Sequence, residues 1–228
     1  MFEDALRFPF AGEDSARSLL IGGVLVLLSP LVVPLFPLFG YYLRVITAGI
    51  DGDETPPAFE EWVELSVEGL KAVVVSFVYF LAPLVFTVVG AFIIGAGALL
   101  AQDRALTGVA TGIGIVGALF VFASVVSILL AMYVFPAALA NMARSGDITD
   151  AFALSTVFGV AFSVEYFVAG LLGIAAVILI GIVNTVLTVF TFGLFILLAV
   201  FVQFYAQAVF FYLFGRGYAG ARGVGRAE

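Results

Sequence analysis

The sequence lacks both cysteine and histidine, and it contains a single lysine. Without cysteine there are no disulfides or thiolate ligands, and without histidine there is no imidazole to bind a metal or to act as a general base near neutral pH. The few basic residues form no basic patch, so nucleic-acid binding is excluded as well. We therefore predict no cofactor, no metal site and no enzymatic activity.

Charge of either sign is scarce, with 11% charged and 64% hydrophobic residues, whereas soluble domains carry about 25% charged residues. Four intervals contain no charged residue, and they hold 26, 31, 39 and 50 residues: 18–43, 72–102, 105–143 and 166–215. One helical span needs about 20 apolar residues. The sequence therefore predicts an all-α, polytopic transmembrane bundle of about five spans (five to six) within a single domain over 1–215.

The first uncharged interval contains three prolines: Pro30, Pro34 and Pro37. Each proline removes a backbone donor, so a helix is expected to kink or break there. Two alternatives follow. The interval crosses the membrane once as a kinked first span, or it enters and leaves on the same side as a re-entrant hairpin, which requires shielding of its backbone.

The last uncharged interval is long enough for two spans, near 167–189 and 194–214, with a turn at 191–193. The tail at 216–228 is rich in glycine and arginine and is predicted to be flexible. In the third interval, Pro136 is expected to end or bend the helix. The start of that interval has small residues at a spacing that favours close helix contact: Gly108, Gly112, Gly114 and Gly117.

An acidic segment, GDETPPAFEEWVELSVEGL, lies between the first two intervals and contains the only tryptophan. On a helical wheel its apolar residues share one face and its glutamates lie opposite. This pattern predicts an interfacial amphipathic helix at about 57–70, with Trp62 at the headgroup level. The apolar face consists mainly of Phe59, Trp62, Val63 and Leu70. The segment at about 149–163, after the second polar loop, is a candidate for a second such helix.

A weak internal repeat links the two polar loops. Residues 37–59 and 136–152 both run from a proline through an arginine and a Gly-Asp pair to a phenylalanine. A duplicated hairpin, 18–102 and 105–190, followed by a last span at 194–214, would produce this pattern, and so would chance similarity.

The basic residues predict the orientation. Most of them flank the loops at 45–70 and 145–164 or lie in the C-terminal tail, so we expect these regions to be cytoplasmic in a multi-pass protein of the cell membrane. Five spans place the N-terminus outside, whereas a re-entrant first interval moves it to the cytoplasm. Sixteen acids against nine basic residues, only one of them lysine, give a net charge of −7, which is typical of a halophilic archaeon.

Four polar residues within or beside the uncharged stretches are candidates for a functional site: Asn184, Gln203, Gln207 and Glu165. The two glutamines are one helical turn apart and can face Asn184 on an antiparallel neighbour. A substrate or ion path is the functional interpretation of this group, and interhelical hydrogen bonding is the structural one. Glu165 is either a buried proton or cation site or a solvated residue at a helix end.

The first third of the chain resembles a family of archaeal multi-pass membrane proteins, domain of unknown function 4013, which is common in haloarchaea. The elements that carry the resemblance are G-Y-x-x-R, G-x-x-x-P-P-x-F and W-x-E-L-x-x-x-G-L, here Gly40, Tyr41, Arg44, Gly52, Pro56, Pro57, Phe59, Trp62, Glu64, Leu65, Gly69 and Leu70. The resemblance implies an integral membrane protein and supplies no substrate.

Two functions fit these observations. The leading hypothesis is a non-enzymatic scaffold or subunit whose partners are the lipid bilayer and a membrane protein or a second copy of the chain. The alternative is a small-solute or ion transporter or channel, which the repeat and the proline-broken first interval favour.

Overall fold

The structure is a computed structural model that describes residues 1–12 and 14–224. The described residues form helices joined by short turns, with no strand among them. We number the α-helices in chain order: α1 Phe2–Arg7, α2 Ser15–Leu27, α3 Leu35–Asp51, α4 Trp62–Leu100, α5 Thr107–Ser145, α6 Leu154–Ala161, α7 Val164–Phe190 and α8 Ala199–Arg222. The predicted all-helical architecture is confirmed.

Within the described residues, three helices are long and apolar enough to cross a membrane: Trp62–Leu100, Arg104–Ser145 (α5 with the 3₁₀ turn before it) and Val164–Phe190. The predicted span near 167–189 is thus an uninterrupted helix, and the predicted turn at 191–193 is present. The chain divides into two compact units, which we call the larger unit (1–75 with 136–228) and the hairpin unit (76–135).

The larger unit is organised around α8, which is buried along much of its length. On one side α7 runs antiparallel to α8, since Gly217 lies against Tyr166 and Gly173 lies against Phe210. On another side α3 runs parallel to α8, with Tyr42 stacked near Phe204 and Phe211 and with Gly49 beside Gly215. The last helix of the chain is therefore the core of this unit.

The first uncharged interval does not form one continuous helix. It breaks at residues 28–34, where a 3₁₀ turn over Ser29–Leu31 contains Pro30 and where Val32 has a φ of 68°. α2 then runs antiparallel to α8, because Phe8 and Phe10, which precede it, contact Tyr212 and Tyr205, while Gly22 and Gly23 lie on Phe204 and Phe201. Since α3 runs the other way, α2 and α3 form a helical hairpin. The structure thus shows a helical hairpin in this interval, and its re-entry into the membrane stays a prediction.

Glycines allow close contact between helix backbones in the larger unit. A Cβ built on Gly69 of α4 would overlap the carbonyl oxygen of Phe36, and one on Gly40 of α3 would overlap that of Leu65. Gly49 and Gly215 make the equivalent contact between α3 and α8. Small residues at a crossing let two helices approach until their backbones touch, and this sets the register of α3 against both neighbours.

Within the hairpin unit, the part of α4 from Ser76 onward packs on the part of α5 up to Phe135 through small residues. Gly90 lies against Phe120 and Gly117, and Gly97 lies against Ala110. Of the four glycines predicted to line a close contact, only Gly117 has an atom within 4 Å of a built Cβ, whereas Gly108, Gly112 and Gly114 face open space. The spacing predicted that these glycines allow close helix contact. It did not show which of them pack against another helix of the same chain and which remain open.

A polar contact that the sequence did not reveal also joins these helices. The Ser124 hydroxyl donates to the carbonyl oxygen of Pro83 at 3.1 Å and lies 2.6 Å from the Thr87 hydroxyl. Ser124 is buried, so this contact gives its hydroxyl a hydrogen-bond partner that apolar side chains could not provide. Serine and threonine were overlooked because a single hydroxyl can also bond its own helix and is therefore a weak sequence signal.

Three element boundaries differ from the sequence predictions. α4 begins at Trp62 and not near residue 57, and it continues without interruption into the apolar run. Residues 62–70 of the acidic segment are therefore the first part of a long helix, and residues 52–61 precede it. α5 passes through Pro136 to Ser145. α8 continues to Arg222, so much of the predicted flexible tail is helical, while residues 225–228 lie outside the described part. The second candidate interfacial segment contains a 3₁₀ turn and the short helix α6.

The two loops of the internal repeat have a similar local structure. α3 ends at Gly52, with a φ of 74°, and α5 ends before Gly146, with a φ of 77°. An aspartate follows each glycine, and a left-handed glycine is the usual way to end a helix. The duplication itself stays a prediction.

Candidate functional site at the charged end of the larger unit

Arg44 is the centre of an ion-pair cluster between α3 and the start of α4. Its Nε lies 3.2 Å from a carboxylate oxygen of Glu68, and its Nη2 lies 3.3 Å from Glu61 and 3.9 Å from Glu64. Arg44 and Glu68 are partly shielded, whereas Glu61 and Glu64 are well exposed. Exposed pairs contribute about 0–1 kcal/mol each, so the Glu68 pair is expected to be the strongest of the three.

Lys71 connects this cluster to the end of α5. Its Nζ donates to the carbonyl oxygen of Gly146 at 3.1 Å. A cleft of about 90 Å³ lies here, lined by Leu43, Arg44, Thr47, Glu68, Lys71, Met142, Ala143 and Gly146. Pockets for small-molecule ligands usually measure about 300–1,000 Å³, so this cleft has room only for water or a small ion. The described residues offer no group of three metal-ligating side chains.

Two hydrogen bonds to one carboxylate stabilise the start of the second acidic loop. The Asp147 carboxylate accepts from the backbone N–H and the hydroxyl of Thr149, at 2.8 and 2.9 Å. These two bonds, with a smaller contribution from the nearby Lys71, hold the pKa of Asp147 below its ordinary value of 3.8. The ionised carboxylate therefore stabilises the start of this loop at neutral pH.

Three tyrosines at different points along α8 fasten other segments of the larger unit to this helix. The Tyr205 hydroxyl donates to the carbonyl oxygen of Leu6, and that of Tyr212 donates to Asp53. The Tyr218 hydroxyl donates to Oδ1 of Asn141 at 2.7 Å, and Nδ2 of Asn141 donates to the carbonyl oxygen of Asp150. Each bond has a polar partner outside α8, so the N-terminal segment and both acidic loops are positioned by one helix.

The predicted interfacial residues separate into one buried and three exposed side chains. Phe59 is only 3% exposed and stacks on Tyr41 with ring centroids 4.2 Å apart. Trp62, Val63 and Leu70 are 45%, 81% and 48% exposed. The face of α4 that packs on the larger unit is instead formed by Leu65, Gly69, Ala72 and Val75.

The physical reason for this difference is the crossing of α3 and α4. Because Gly40 and Gly69 bring the two backbones into contact, they fix the rotation of α4 about its axis. The helical wheel ranked residues by hydrophobicity alone, and it did not show which of them pack on α3. The interfacial role of the exposed Trp62, Val63 and Leu70 stays a prediction.

The four polar candidates do not form one group. Gln203 is exposed and Gln207 is half-buried, and among the described residues no hydrogen bond joins either of them to Asn184. Oδ1 of Asn184 is buried without a hydrogen-bond partner. Glu165 is exposed in the first turn of α7, where the Ser163 hydroxyl accepts from the N–H of Tyr166 as an N-terminal cap.

The residues that carry the family resemblance contact one another. Gly40 meets the backbone of Leu65, Tyr41 stacks on Phe59, and Arg44 pairs with Glu64. The spaced elements of the sequence are thus the two sides of one α3–α4 crossing. This fold and this crossing define an all-helical protein with three helices that can span a membrane.

The chain belongs to the family described as "Protein of unknown function (DUF4013)", whose model matches residues 23–189. No curated protein and no solved structure shows a significant match.

Proposed function

We propose that this chain is a non-enzymatic scaffold or subunit of a membrane complex and that it acts by packing a transmembrane helix of a partner against α4. The observation that carries the proposal is an open apolar groove of about 750 Å³ on the hairpin unit, lined by Val88, Ala91, Phe92, Gly95, Ala96 and Leu99. A Cβ built on Gly95 meets no atom within 4 Å.

The groove has the geometry of a helix-packing site. Its residues recur every three or four positions, so they share one face of α4, and Ala91 and Gly95 form a small-xxx-small pair. The neighbouring Gly90 and Gly97 are already used against α5. The helix therefore carries two sets of small residues, one that packs within the chain and one that is open to a second helix.

Photo-crosslinking tests the proposal. A photoreactive phenylalanine analogue at Phe92, which lines the groove, is expected to give a protein adduct in native membranes, either with a partner or with a second copy. The same analogue at Phe122, which is also exposed, is the control and is expected to label lipid only. Gly95→Leu should remove the adduct, while Gly181→Leu, at another open glycine of an apolar helix, should leave it unchanged. An adduct at Phe92 with lipid alone would overturn the scaffold proposal.

A small-solute or ion transporter is the second candidate, favoured by the unpaired Oδ1 of Asn184 within an apolar helix. An uncompensated buried carbonyl is costly, and a transported solute could supply the missing donor. Purified protein in liposomes, tested for flux of a panel of ions and small solutes, separates the two candidates. Flux that Asn184→Leu abolishes would favour transport.

We further propose that the protein is a multi-pass protein of the cell membrane whose N-terminus, two acidic loops and C-terminal end share the cytoplasmic side. Support comes from the contacts of α8, which hold the N-terminal segment near Tyr205 and Tyr212 and the first loop at Asp53. Eight of the nine basic residues then lie on that side and only Arg104 lies on the other.

A haloarchaeal source is proposed from the acidic surplus. Carboxylates crowd around Arg44, and their repulsion is screened at molar salt. The purified protein is then expected to be more resistant to thermal unfolding in about 1 M KCl, where screening acts over about 3 Å, than in dilute buffer. Equal resistance in both would argue against that source.

A further inference from the structure

The turn of the α2–α3 hairpin, residues 28–34, is apolar and exposed. Leu31 and Val33 are 67% and 69% exposed, and the turn contains no charged residue. Exposing such a surface to water costs about 25 cal/mol per Å². By contrast, the turn between α4 and α5 carries Gln102, Asp103 and Arg104, as expected for a turn in water.

The backbone of this turn also needs little from water. Within residues 28–34, the N–H groups of Leu28, Leu31, Val32 and Val33 donate to backbone carbonyl oxygens, and Pro30 and Pro34 have no N–H at all. Just after the turn, the N–H groups of Leu35, Phe36 and Leu38 are bonded in the same way. A non-helical turn is tolerated in hydrocarbon only when its backbone groups are satisfied internally, and most donors of this turn meet that condition.

The charged residues nearest the turn limit how deep it can reach. Arg17 lies ten residues before the end of α2, and Arg44 lies nine residues after the start of α3. At 1.5 Å per residue, each arm measures about 15 Å, which is half of the roughly 30 Å hydrocarbon core. Arg44 pairs with exposed glutamates and Arg17 is exposed, so both arginines belong at the polar boundary.

We propose that the α2–α3 hairpin is a re-entrant element that inserts into one leaflet of the bilayer and places Leu31 and Val33 near its midplane. Its occupant is lipid acyl chain, which matches the apolar side chains and needs no hydrogen bond from the turn. The inserted hairpin holds α3 at a fixed depth in the bilayer. Because α3 contacts α4 at Gly40 and α8 at Gly49, these two helix crossings are held at a fixed depth as well. The proposal does not depend on the scaffold role, because it concerns lipid and not the groove at Gly95.

Spin labelling measures this depth directly, since the chain has no native cysteine. Leu31→Cys and Val33→Cys in the full chain, each with a nitroxide label in liposomes, are expected to be accessible to oxygen and shielded from a water-soluble nickel chelate. Two reference positions, Glu54→Cys and Asp103→Cys, should show the opposite. The rate of labelling by a membrane-impermeant maleimide is expected to be at least about tenfold lower at both turn positions than at Glu54, because water is excluded from the core.

Each other outcome contradicts the proposal. If Leu31 and Val33 react with the maleimide from the side opposite to Glu54, both arms of the hairpin cross the whole membrane. If Glu3→Cys reacts from the side opposite to Glu54, the interval crosses the membrane once. If they react from the same side as Glu54 at a similar rate, the hairpin is not inserted. Both turn variants must elute as the unmodified protein does in size-exclusion chromatography, and Leu20→Cys, on the exposed side of α2, provides an intermediate depth on a regular helix.

Discussion

At the scale of single residues, the glycines of the α3–α4 crossing have a different role from the other glycines of the long helices. Gly69→Ala places a methyl group on the carbonyl oxygen of Phe36, and backbone cannot move aside as a side chain can. We expect a loss of about 1–3 kcal/mol, the usual range for overpacking, or more. Gly112→Ala, where a Cβ meets nothing within 4 Å, should be neutral or stabilising because alanine favours helix by about 1 kcal/mol. Thermal unfolding of both variants in detergent measures the difference, and equal loss of stability would contradict the crossing.

The buried hydroxyl of Tyr218 supports a second prediction at this scale. Tyr218→Phe leaves Oδ1 of the buried Asn141 without its donor, which costs about 1–3 kcal/mol. Since Asn141 also holds the carbonyl oxygen of Asp150, hydrogen exchange should become faster across residues 146–153. Tyr205→Phe removes a bond to Leu6 instead, and it should loosen residues 2–10 while leaving that loop unchanged. Loosening of both segments by both variants would show that the tyrosines act only through global stability.

Asp147 gives a pH-dependent prediction for the same loop. Its pKa is lowered in the folded protein, so the ionised carboxylate contributes stability that is present above pH 3.8 and is lost as the pH falls through the lowered pKa. Asp147→Asn keeps an acceptor oxygen that does not titrate. The NMR shift of the Thr149 amide should therefore move with acid in the unmodified protein, with a midpoint below 3.8, and stay constant in the variant. A midpoint at or above 3.8 would contradict the effect of the two hydrogen bonds.

At the scale of elements, the segment before α4 is held by one aromatic residue rather than by an amphipathic face. Phe59 is buried against Tyr41 and Phe204, whereas Trp62 is nearly half exposed. We expect Phe59→Ala to cost about 3–5 kcal/mol, as for other buried aromatics, and Trp62→Ala to cost clearly less. Hydrogen exchange over residues 58–70 should rise for Phe59→Ala. Unchanged protection in that variant would show that the stack on Tyr41 does not hold the segment.

The same segment shows what could be predicted from the sequence and what could not. Its place between two apolar runs could be predicted from charge alone, because a charged side chain inside a membrane span costs free energy. The start of the helix could not be predicted from the sequence. Glu61 adopts a φ of 52°, which residue propensities do not indicate, and Pro56 and Pro57 lie in the loop before the helix. The face that packs on α3 could not be predicted, because two glycines 29 residues apart, Gly40 and Gly69, set it through a contact that no local pattern contains.

The break between α2 and α3 could also be predicted from the sequence, whereas the contacts with α8 could not. Three closely spaced prolines predicted a break, since each removes a donor, and the structure has it at residues 28–34. The direction of the chain after the break depends on contacts with α8, about 170 residues later in the sequence, which no local pattern contains. For the polar candidates, periodicity placed Gln203 and Gln207 on one helix, but it could not show that Oδ1 of Asn184 has no hydrogen-bond partner.

At the scale of the whole molecule, the distribution of charge leads to a prediction about topology. The basic residues, apart from Arg104, are in segments that α8 and the Arg44 cluster hold together or in segments directly next to them. α7 and α8 are antiparallel, and α2 and α3 form a hairpin, so each pair returns the chain to the face it came from. We therefore expect two turns on the opposite side of the membrane, the uncharged one between α7 and α8 and the one between α4 and α5 with Asp103 and Arg104.

Single-cysteine labelling in right-side-out vesicles tests this arrangement, using Glu3→Cys, Glu54→Cys and Asp103→Cys, three exposed positions. We expect an impermeant maleimide to modify Asp103→Cys in intact vesicles and to modify the other two only after permeabilisation. The reason is that an arginine excess favours the cytoplasmic side, and eight basic residues against one is a strong bias. Modification of Glu3→Cys together with Asp103→Cys in intact vesicles would mean that an odd number of spans separates the N-terminus from the first acidic loop, and the hairpin between them would then have to cross the membrane.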